Sequence, residues 1–331
     1  FGEAYQAGDW DSDDLPGLLQ ALAAHAAEIV PAGLQWLRRF YVAAMPATQD
    51  NTRGNAARTI SAHYDLSNEL FGAFLDETMT YSSALFDTPA DDLAEAQRRK
   101  IDRLLDATGV HPGARVLEIG TGWGELAVRA AQRGARVHTI TLSEEQLRGA
   151  RERAARAGVA DRITAELRDY RDLDTGRCYD AVLSVEMIEA VGERHWPRYF
   201  QTVDRVLAPC GTAGIQAITM ADERLAATRH TYTWMHKYIF PGGLIPSMPA
   251  IARVLAAHTT LAIDTDLSFG ADYARTLENW RDRFNDAAPA LADRGFDEVF
   301  SRTWNFYLAY SQAGFASGYL DVHQFTLRRQ P

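Results

Sequence analysis

VLEIGTGWGE, residues Val116 to Glu125, reads as an apolar strand running straight into a glycine loop. Val116, Leu117 and Ile119 form the buried strand. Gly120, Gly122 and Gly124 leave room for a ligand to approach the backbone, and a helix is expected from Glu125 to Arg133. In an open α/β sheet, the crevice between such a strand end and its helix is where nucleotide-like ligands bind. The glycine spacing is G-x-G-x-G, whereas the dinucleotide fingerprint is G-x-G-x-x-G, with a helix N-terminus facing a pyrophosphate. Glu118, two residues before the first glycine, suits a cationic or hydroxyl-rich ligand better than a phosphate.

These features point to S-adenosylmethionine, which carries a sulfonium, an ammonium and a ribose but no phosphate. The next strand separates the two cofactor classes further. A dinucleotide enzyme places an Asp or Glu about 20 residues past the loop, on the ribose. Here the strand from Arg136 to Ile140 ends in Thr141-Leu142-Ser143, with Glu144, Glu145 and Gln146 opening the following helix. The acidic strand tip is missing.

Working outward, strands are expected at 163–167, 181–184 and 212–218, alternating with helices at 144–156 and 196–207. That rhythm means an α/β fold, a doubly wound and mostly parallel sheet. Residues 1–45 read as a helical N-terminal segment. In it Trp36, Leu37, Phe40 and Tyr41 are interleaved with Arg38 and Arg39, as on a membrane-surface helix or a solvated helix face. PATQDNTRGNAA (46–57) reads as a polar linker. The expected organisation is therefore an N-terminal remnant plus linker over 1–57 and a catalytic domain over 58–331. An insert at about 221–258 would cover the site, its stretch from Tyr232 to Met248 serving as a wall. A short strand at 264–267, helices at 271–285 and 295–317, and an edge strand from Val322 to Leu327 complete the reading.

The 331 residues include 47% hydrophobic and 24% charged side chains, an ordinary globular balance. The net charge of −10 argues against a general nucleic-acid binder. Cys178 and Cys210 are the only cysteines, too few for a disulfide framework and in no metal-ligand cluster, so no metal is expected. A reducing, cytoplasmic setting follows. No apolar run approaches the roughly 20 residues that span a bilayer. The chain starts at Phe1, without a methionine or a visible signal peptide, so residues upstream are expected to be missing.

HYDLSNELF (63–71), TMTYSSALF (78–86), VLEIGTGWG (116–124), TLSEEQ (141–146), DYRDL (169–173), SVEMIEAVG (184–192) and KYIFPGGLIPS (237–247) are far more specific together than singly. The combination resembles the cyclopropane fatty acid synthase family of S-adenosylmethionine-dependent enzymes, over Phe1 to about Leu327, and within it the branch linked to tuberculostearic acid. The resemblance implies a Rossmann-like class I methyltransferase fold. GEAYQAGDWDSDDL (2–15) would be the last portion of the family's larger N-terminal domain. The implied activity is transfer of a methyl carbon to the cis double bond of an acyl chain on a phospholipid. A mid-chain methylene is the implied product and a cyclopropane the alternative.

By the same resemblance, Tyr81, Glu118, Gly120, Gly122 and Trp123 would hold the methionine part of the cofactor. Thr141, Leu142 and Gln146 would bind the ribose, and Asp169, Tyr170 and Arg171 would lie near the adenine. Family members also hold a bicarbonate ion, whose ligands would be Ser83, Glu189, Gln216, Ile218 and Tyr273. Ser83 and Gln216 stand where the family pattern has Cys and His, and Ala190 replaces a frequent His. Further implications are peripheral contact with the inner face of the membrane and a separate reductase acting on the product; an oligomer is compatible with the same chain.

Methyl transfer to an alkene is above all a positioning problem. It leaves a carbocation, which aromatic faces stabilise; Tyr64, Phe71, Phe74, Tyr232, Trp234 and Tyr238 are candidates for that role or for plain packing. A general base must then take a proton. Glu186 and Glu189, at i and i+3, share one side of a helical turn; Glu189 is expected to act and Glu186 to be structural. His63 is an active-site candidate or a satisfied structural residue. Arg98-Arg99-Lys100 and Arg38-Arg39 are the basic patches that would meet an anionic membrane. A methyltransferase for a small metabolite would need a polar pocket instead, and a non-catalytic lipid-binding module would turn over no cofactor.

Overall fold

The computed structural model describes residues 1–25, 46, 68–173, 176 and 178–330. Most of the polar linker, the Arg38-Arg39 helix, His63 and Tyr64 lie outside the described residues. Seven strands form one sheet: β1 (Arg115–Ile119), β2 (Arg136–Thr141), β3 (Ile163–Leu167), β4 (Tyr179–Val185), β5 (Leu207–Met220), β6 (Leu261–Ser268) and β7 (Leu320–Arg329). Their order is β3-β2-β1-β4-β5-β7-β6. The first five run parallel, and β7 is antiparallel to both its neighbours.

The order has a reversal built into it. From β1 the chain steps outward to β2 and β3, then returns to lay β4 on the other side of β1. A reversal of this kind opens a crevice at the carboxyl ends of the two central strands. The glycine loop leaves β1 at that point.

Helices cover both faces. The earliest are α1 (Gly2–Gln6), α2 (Leu15–Ala24), α3 (Asn68–Phe74) and α4 (Leu93–Ala107). After β1 come α5 (Glu125–Gln132), α6 (Glu144–Arg156), α7 (Ile188–Val191) and α8 (Trp196–Val206). The insert supplies α9 (Asp222–Thr228), α10 (Trp234–Tyr238) and α11 (Met248–His258), and α12 (Gly270–Ala292) and α13 (Glu298–Ala316) precede β7.

Successive side chains of a strand point to opposite faces, and β1 shows the consequence. Val116 packs with Leu104, Leu126 and Ala130 of α4 and α5, while Leu117 and Ile119 pack with Tyr199, Phe200 and Ile251 of α8 and α11. A third, aromatic cluster joins α3, α12 and α13 through Phe71, Phe74, Trp280, Trp304 and Tyr307. The N-terminal helices lie on α13, with Tyr5, Leu15 and Leu19 against Phe306 and Ala313.

One expectation changes. Val322 to Leu327 is not an edge: β7 is paired on both sides, and β6 holds the edge. Val322 and Gln324 to Leu327 are buried, whereas β6 carries Asp264 and Asp266 on an exposed stretch, the charged character that protects an edge. The insert is tied into the body of the fold. Ile251 and Leu255 of α11 are core residues, and Trp234 of α10 donates to Gln6 at 2.9 Å while packing edge-on to Phe306.

At the start of α5 the backbone demands glycine. Gly124 has φ +90°, and a Cβ there would lie 2.8 Å from the Ala150 backbone on α6. Gly124→Ala is expected to cost roughly 1–3 kcal/mol, measured by urea denaturation of the two proteins.

Candidate active site

The crevice at the ends of β1 and β4 is lined by Tyr81, Glu118, Gly120, Gly122, Trp123, Thr141, Leu142, Gln146 and Tyr170. The sequence-based cofactor residues therefore converge, with two exceptions. Asp169 and Arg171 pair with each other, Arg171 Nε donating to Asp169 Oδ1 at 2.9 Å, and neither lines the crevice. Arg168 and Tyr170 do. The short 3-10 turn after β3 explains this: Asp169 accepts from the Arg171 amide as the cap of the turn.

Glu118 is buried, and Thr139 Oγ1 donates to its Oε2 at 2.6 Å. Burial pushes its carboxyl up to about 8. Gly120 has φ +99°, and a Cβ there would come within 2.8 Å of the Met187 side chain. Trp123 is pinned from two sides: its Nε1 donates to Asn68 at 2.9 Å, and its ring packs on Phe71 with centroids 5.0 Å apart.

Lys100 also lines the crevice, and the sequence reading missed it. The basic patch Arg98-Arg99-Lys100 does not exist as such. Lys100 is wholly buried, Arg98 pairs with Glu77, and Arg99 pairs with Asp91 at 2.5 Å. The available signal was helical spacing, because Ala96, Gln97, Lys100, Ile101 and Leu104 share the buried face of α4. Lys100 Nζ donates to Ser82 Oγ at 2.6 Å and Gln97 Nε2 to the Ser82 carbonyl at 2.8 Å, so α4 holds the TMTYSS segment in place. Desolvation lowers the Lys100 ammonium to about 8, opposed by the charges of Glu186 and Asp76.

Deeper in, Ser83, Gln216 and Tyr273 converge on a carboxylate, and it is that of Glu186. The Ser83 amide and Gln216 Nε2 donate to Glu186 Oε1 at 2.9 and 2.7 Å. The Tyr273 hydroxyl donates to Oε2 at 2.6 Å. Gln324 sets the orientation of Gln216: its Nε2 donates to Gln216 Oε1 at 2.9 Å, and its own carbonyl accepts from Arg103 at 2.7 Å. With its carbonyl engaged, Gln216 turns its side-chain nitrogen to Glu186 and, at 3.4 Å, to the Ser83 carbonyl. Tyr273 is held by stacking on Phe315 at 4.4 Å.

Glu189 occupies a separate place. Its Oε1 accepts from the Ile218 amide, and its buried Oε2 has no hydrogen-bond partner among the described residues. Desolvation, reinforced by the charge of Glu186, raises its carboxyl to about 8. Desolvation also raises Glu186, against the charge of Lys100 and the three donors. One carboxylate is stabilised by donors and the other is pushed toward the neutral acid, the asymmetry that separates acid and base roles in paired carboxyls.

The residues do not fit a bound bicarbonate. The donors expected to hold it are engaged, those of Ser83, Gln216 and Tyr273 by Glu186 and that of Ile218 by Glu189. A further anion would face these carboxyl groups with none of those donors left over.

A doubly wound sheet with a glycine loop and a buried acid at its switch point defines a class I S-adenosylmethionine-dependent methyltransferase. The chain belongs to the mycolic acid cyclopropane synthetase family, which matches residues 51–325. It is 56% identical to the tuberculostearic acid methyltransferase UfaA1 of Mycobacterium tuberculosis, covering 100% of this chain and 78% of the relative. It is 34% identical to the cyclopropane-fatty-acyl-phospholipid synthase of Escherichia coli, covering 99% of this chain and 82% of the relative. In structure it resembles the mycolic acid cyclopropane synthase CmaA1 complexed with SAH and CTAB, with TM-score 0.76 and 28% identity over 82% of this chain and 98% of that one.

A cationic cofactor favours the carboxylate form of Glu118 over the acid. Below a pKa of about 8, binding must release that proton, so affinity rises with pH. Between pH 6 and 7.5 the Kd for S-adenosylmethionine is expected to fall on the order of tenfold. Calorimetry in two buffers of different ionisation enthalpy checks both the trend and the proton release; Glu118→Gln should abolish both.

Proposed function

We propose that this enzyme transfers the methyl carbon of S-adenosylmethionine to the cis double bond of an unsaturated fatty acyl chain on a phospholipid, giving a mid-chain methylene. The observation that carries this reading is the 56% identity, across the whole chain, to a tuberculostearic acid methyltransferase. The site agrees with it chemically. Behind Tyr81 stand Phe71, Phe74, Trp280 and Trp304, with ring centroids 5.2 to 6.3 Å apart in successive pairs. Of these rings only Tyr81 lines the crevice; its aromatic face suits passing positive charge, and the buried rings behind it hold it in place.

When bound, S-adenosylmethionine would supply an electrophilic methyl group to the π electrons of the alkene, the methyl–sulfur bond breaking as the C–C bond forms and the neutral thioether leaving. Tyr81, Trp123 and the glycine loop hold the donor side still, and α3 and α12 exclude water from the acceptor side. Phe71 and Phe74 are wholly buried and line no part of the crevice, so plain packing is their role. Trp234 and Tyr238 do not support a charge-stabilising role either, because they pack with each other and, through Trp234, on α1 and α13, and Tyr232 stacks on His236. No step of this reading uses bicarbonate.

Such a substrate lies in a bilayer, while no helix among the described residues is long and apolar enough to cross one. We therefore place the enzyme peripherally, at the cytoplasmic face, where the exposed thiols of Cys178 and Cys210 stay reduced. A methylene needs a hydride and a proton to become a methyl branch, which we assign to a separate reductase. If the purified protein, with S-adenosylmethionine alone, produced the saturated branched acid, that assignment would fall.

The direct test incubates oleoyl-phospholipid vesicles with the protein and methyl-deuterated S-adenosylmethionine, then analyses the fatty acids by mass spectrometry and proton NMR. Methylene and cyclopropane products both gain CD2, so NMR of the rest of the chain, with fragmentation, locates an alkene or a ring. The methylene product is expected. Ring signals would establish the second reading, which the 34% identity to a cyclopropane synthase favours.

A further inference from the structure

We propose that Glu186 is the built-in oxyanion of this site: its carboxylate stands where the Ser83 amide, the Gln216 side-chain amide and the Tyr273 hydroxyl converge, and it takes the proton that leaves the substrate. The inference rests on the acyl-chain reading above for the identity of that proton, and on geometry for the rest.

A carboxylate offers about four lone-pair sites. Two on Oε1 are filled by Ser83 and Gln216, and one on Oε2 by Tyr273. One site on Oε2 is left, and Glu186 lines the same crevice as Gly120, Met187 and Lys100. The backbone is bent to achieve this placement. Glu186 has φ +50°, one of two non-glycine residues with positive φ among those described, a conformation that costs roughly 1–2 kcal/mol for an L-residue. Glycine would adopt it freely. A strained backbone with an over-determined side chain at a site marks a functional constraint. The wholly buried Lys100 supplies a nearby positive charge.

The step balances as follows. After methyl addition, and a hydride shift for the methylene product, a C–H bond of the transferred carbon breaks. Its electron pair forms the exocyclic C=C bond, or the last ring bond of a cyclopropane. The proton ends on Glu186 Oε2 and leaves to solvent before the next turnover. No external anion takes part.

The test compares the wild type with Glu186→Gly in carbon-dioxide-free buffer, on dioleoylphosphatidylglycerol vesicles, with and without sodium bicarbonate or sodium formate. The glycine variant relaxes the positive φ, which offsets part of the cost of the donors it leaves unpaired, and a melting curve with circular dichroism checks that it stays folded at the assay temperature. We expect the wild-type rate to be unchanged by bicarbonate. The glycine variant should lose roughly 10²–10⁴-fold and recover at least about tenfold of it when either small anion fills the vacated donors. Carbon-13 NMR with labelled bicarbonate should show binding to the variant and none to the wild type. A wild type that needs bicarbonate or binds it, or a glycine variant with full unaided activity, overturns the proposal. If the wild type converts no lipid under any condition, the substrate reading fails, and the labelled-bicarbonate comparison still decides the role of Glu186.

Discussion

Glu186→Gln is expected to lower kcat by roughly 10²–10⁴-fold, the usual worth of a positioned general base, while the Kd for S-adenosylmethionine changes little. The amide keeps the shape of the carboxylate, and with its one oxygen in the Oε1 place it accepts from Ser83 and Gln216, but it cannot take a proton, and its NH2 group meets the Tyr273 hydroxyl that donated to Oε2. Glu189→Gln should cost much less, under about tenfold. Its carboxyl is raised to about 8 and is thus mostly the neutral acid at pH 7, so a neutral amide still accepts from the Ile218 amide. Single-turnover rates with saturating cofactor separate the two. Equal losses in both variants would sink the assignment of the base to Glu186. The pH profile adds a sign: the base works only when ionised, so the rate rises with pH through the Glu186 pKa. Lys100→Met, which removes a charge that lowers that pKa, should move this limb upward.

Trp280→Ala is the second large effect, on stability. Trp280 is wholly buried, and its ring lies 6.0 Å from Phe74, 5.3 Å from Tyr81 and 6.1 Å from Tyr273. Truncation removes the centre of the aromatic cluster and leaves a cavity, at a cost of about 3–5 kcal/mol. The melting temperature should fall on the order of 10 °C. Activity measured well below the transition should fall too, because Tyr81 and Tyr273 lose the surface that holds them. Trp280→Phe should cost far less than truncation: the indole Nε1 has no hydrogen-bond partner among the described residues, so only packing is given up. A loss equal to that of the alanine variant would mean that the indole N–H has a partner and that packing is not the main term.

The sheet was legible in sequence because its information is local. Alternating apolar runs set β1 to β5, and the glycine loop marked where the chain leaves β1. Local reading failed where partners are distant in sequence. Nothing in VHQFTL says that β7 enters between β5 and β6 rather than closing an edge; that depends on which neighbours are left to pair. Lys100 looked like part of a basic run because charge is read along the chain, whereas burial is decided by the face of α4 that meets the sheet.

The same division runs through the site. By itself the sequence pointed to the cofactor class, through the glycine spacing and Glu118, and its resemblance to a family placed Ser83, Gln216 and Tyr273, with Glu189 and Ile218, around one expected ion. Only the tertiary structure decided which carboxylate they serve. Glu186 and Glu189 are three residues apart and chemically identical, so no local rule ranks them. The choice is made by donors brought from 103, 30 and 87 residues away, and a backbone turned to positive φ delivers Glu186 to them.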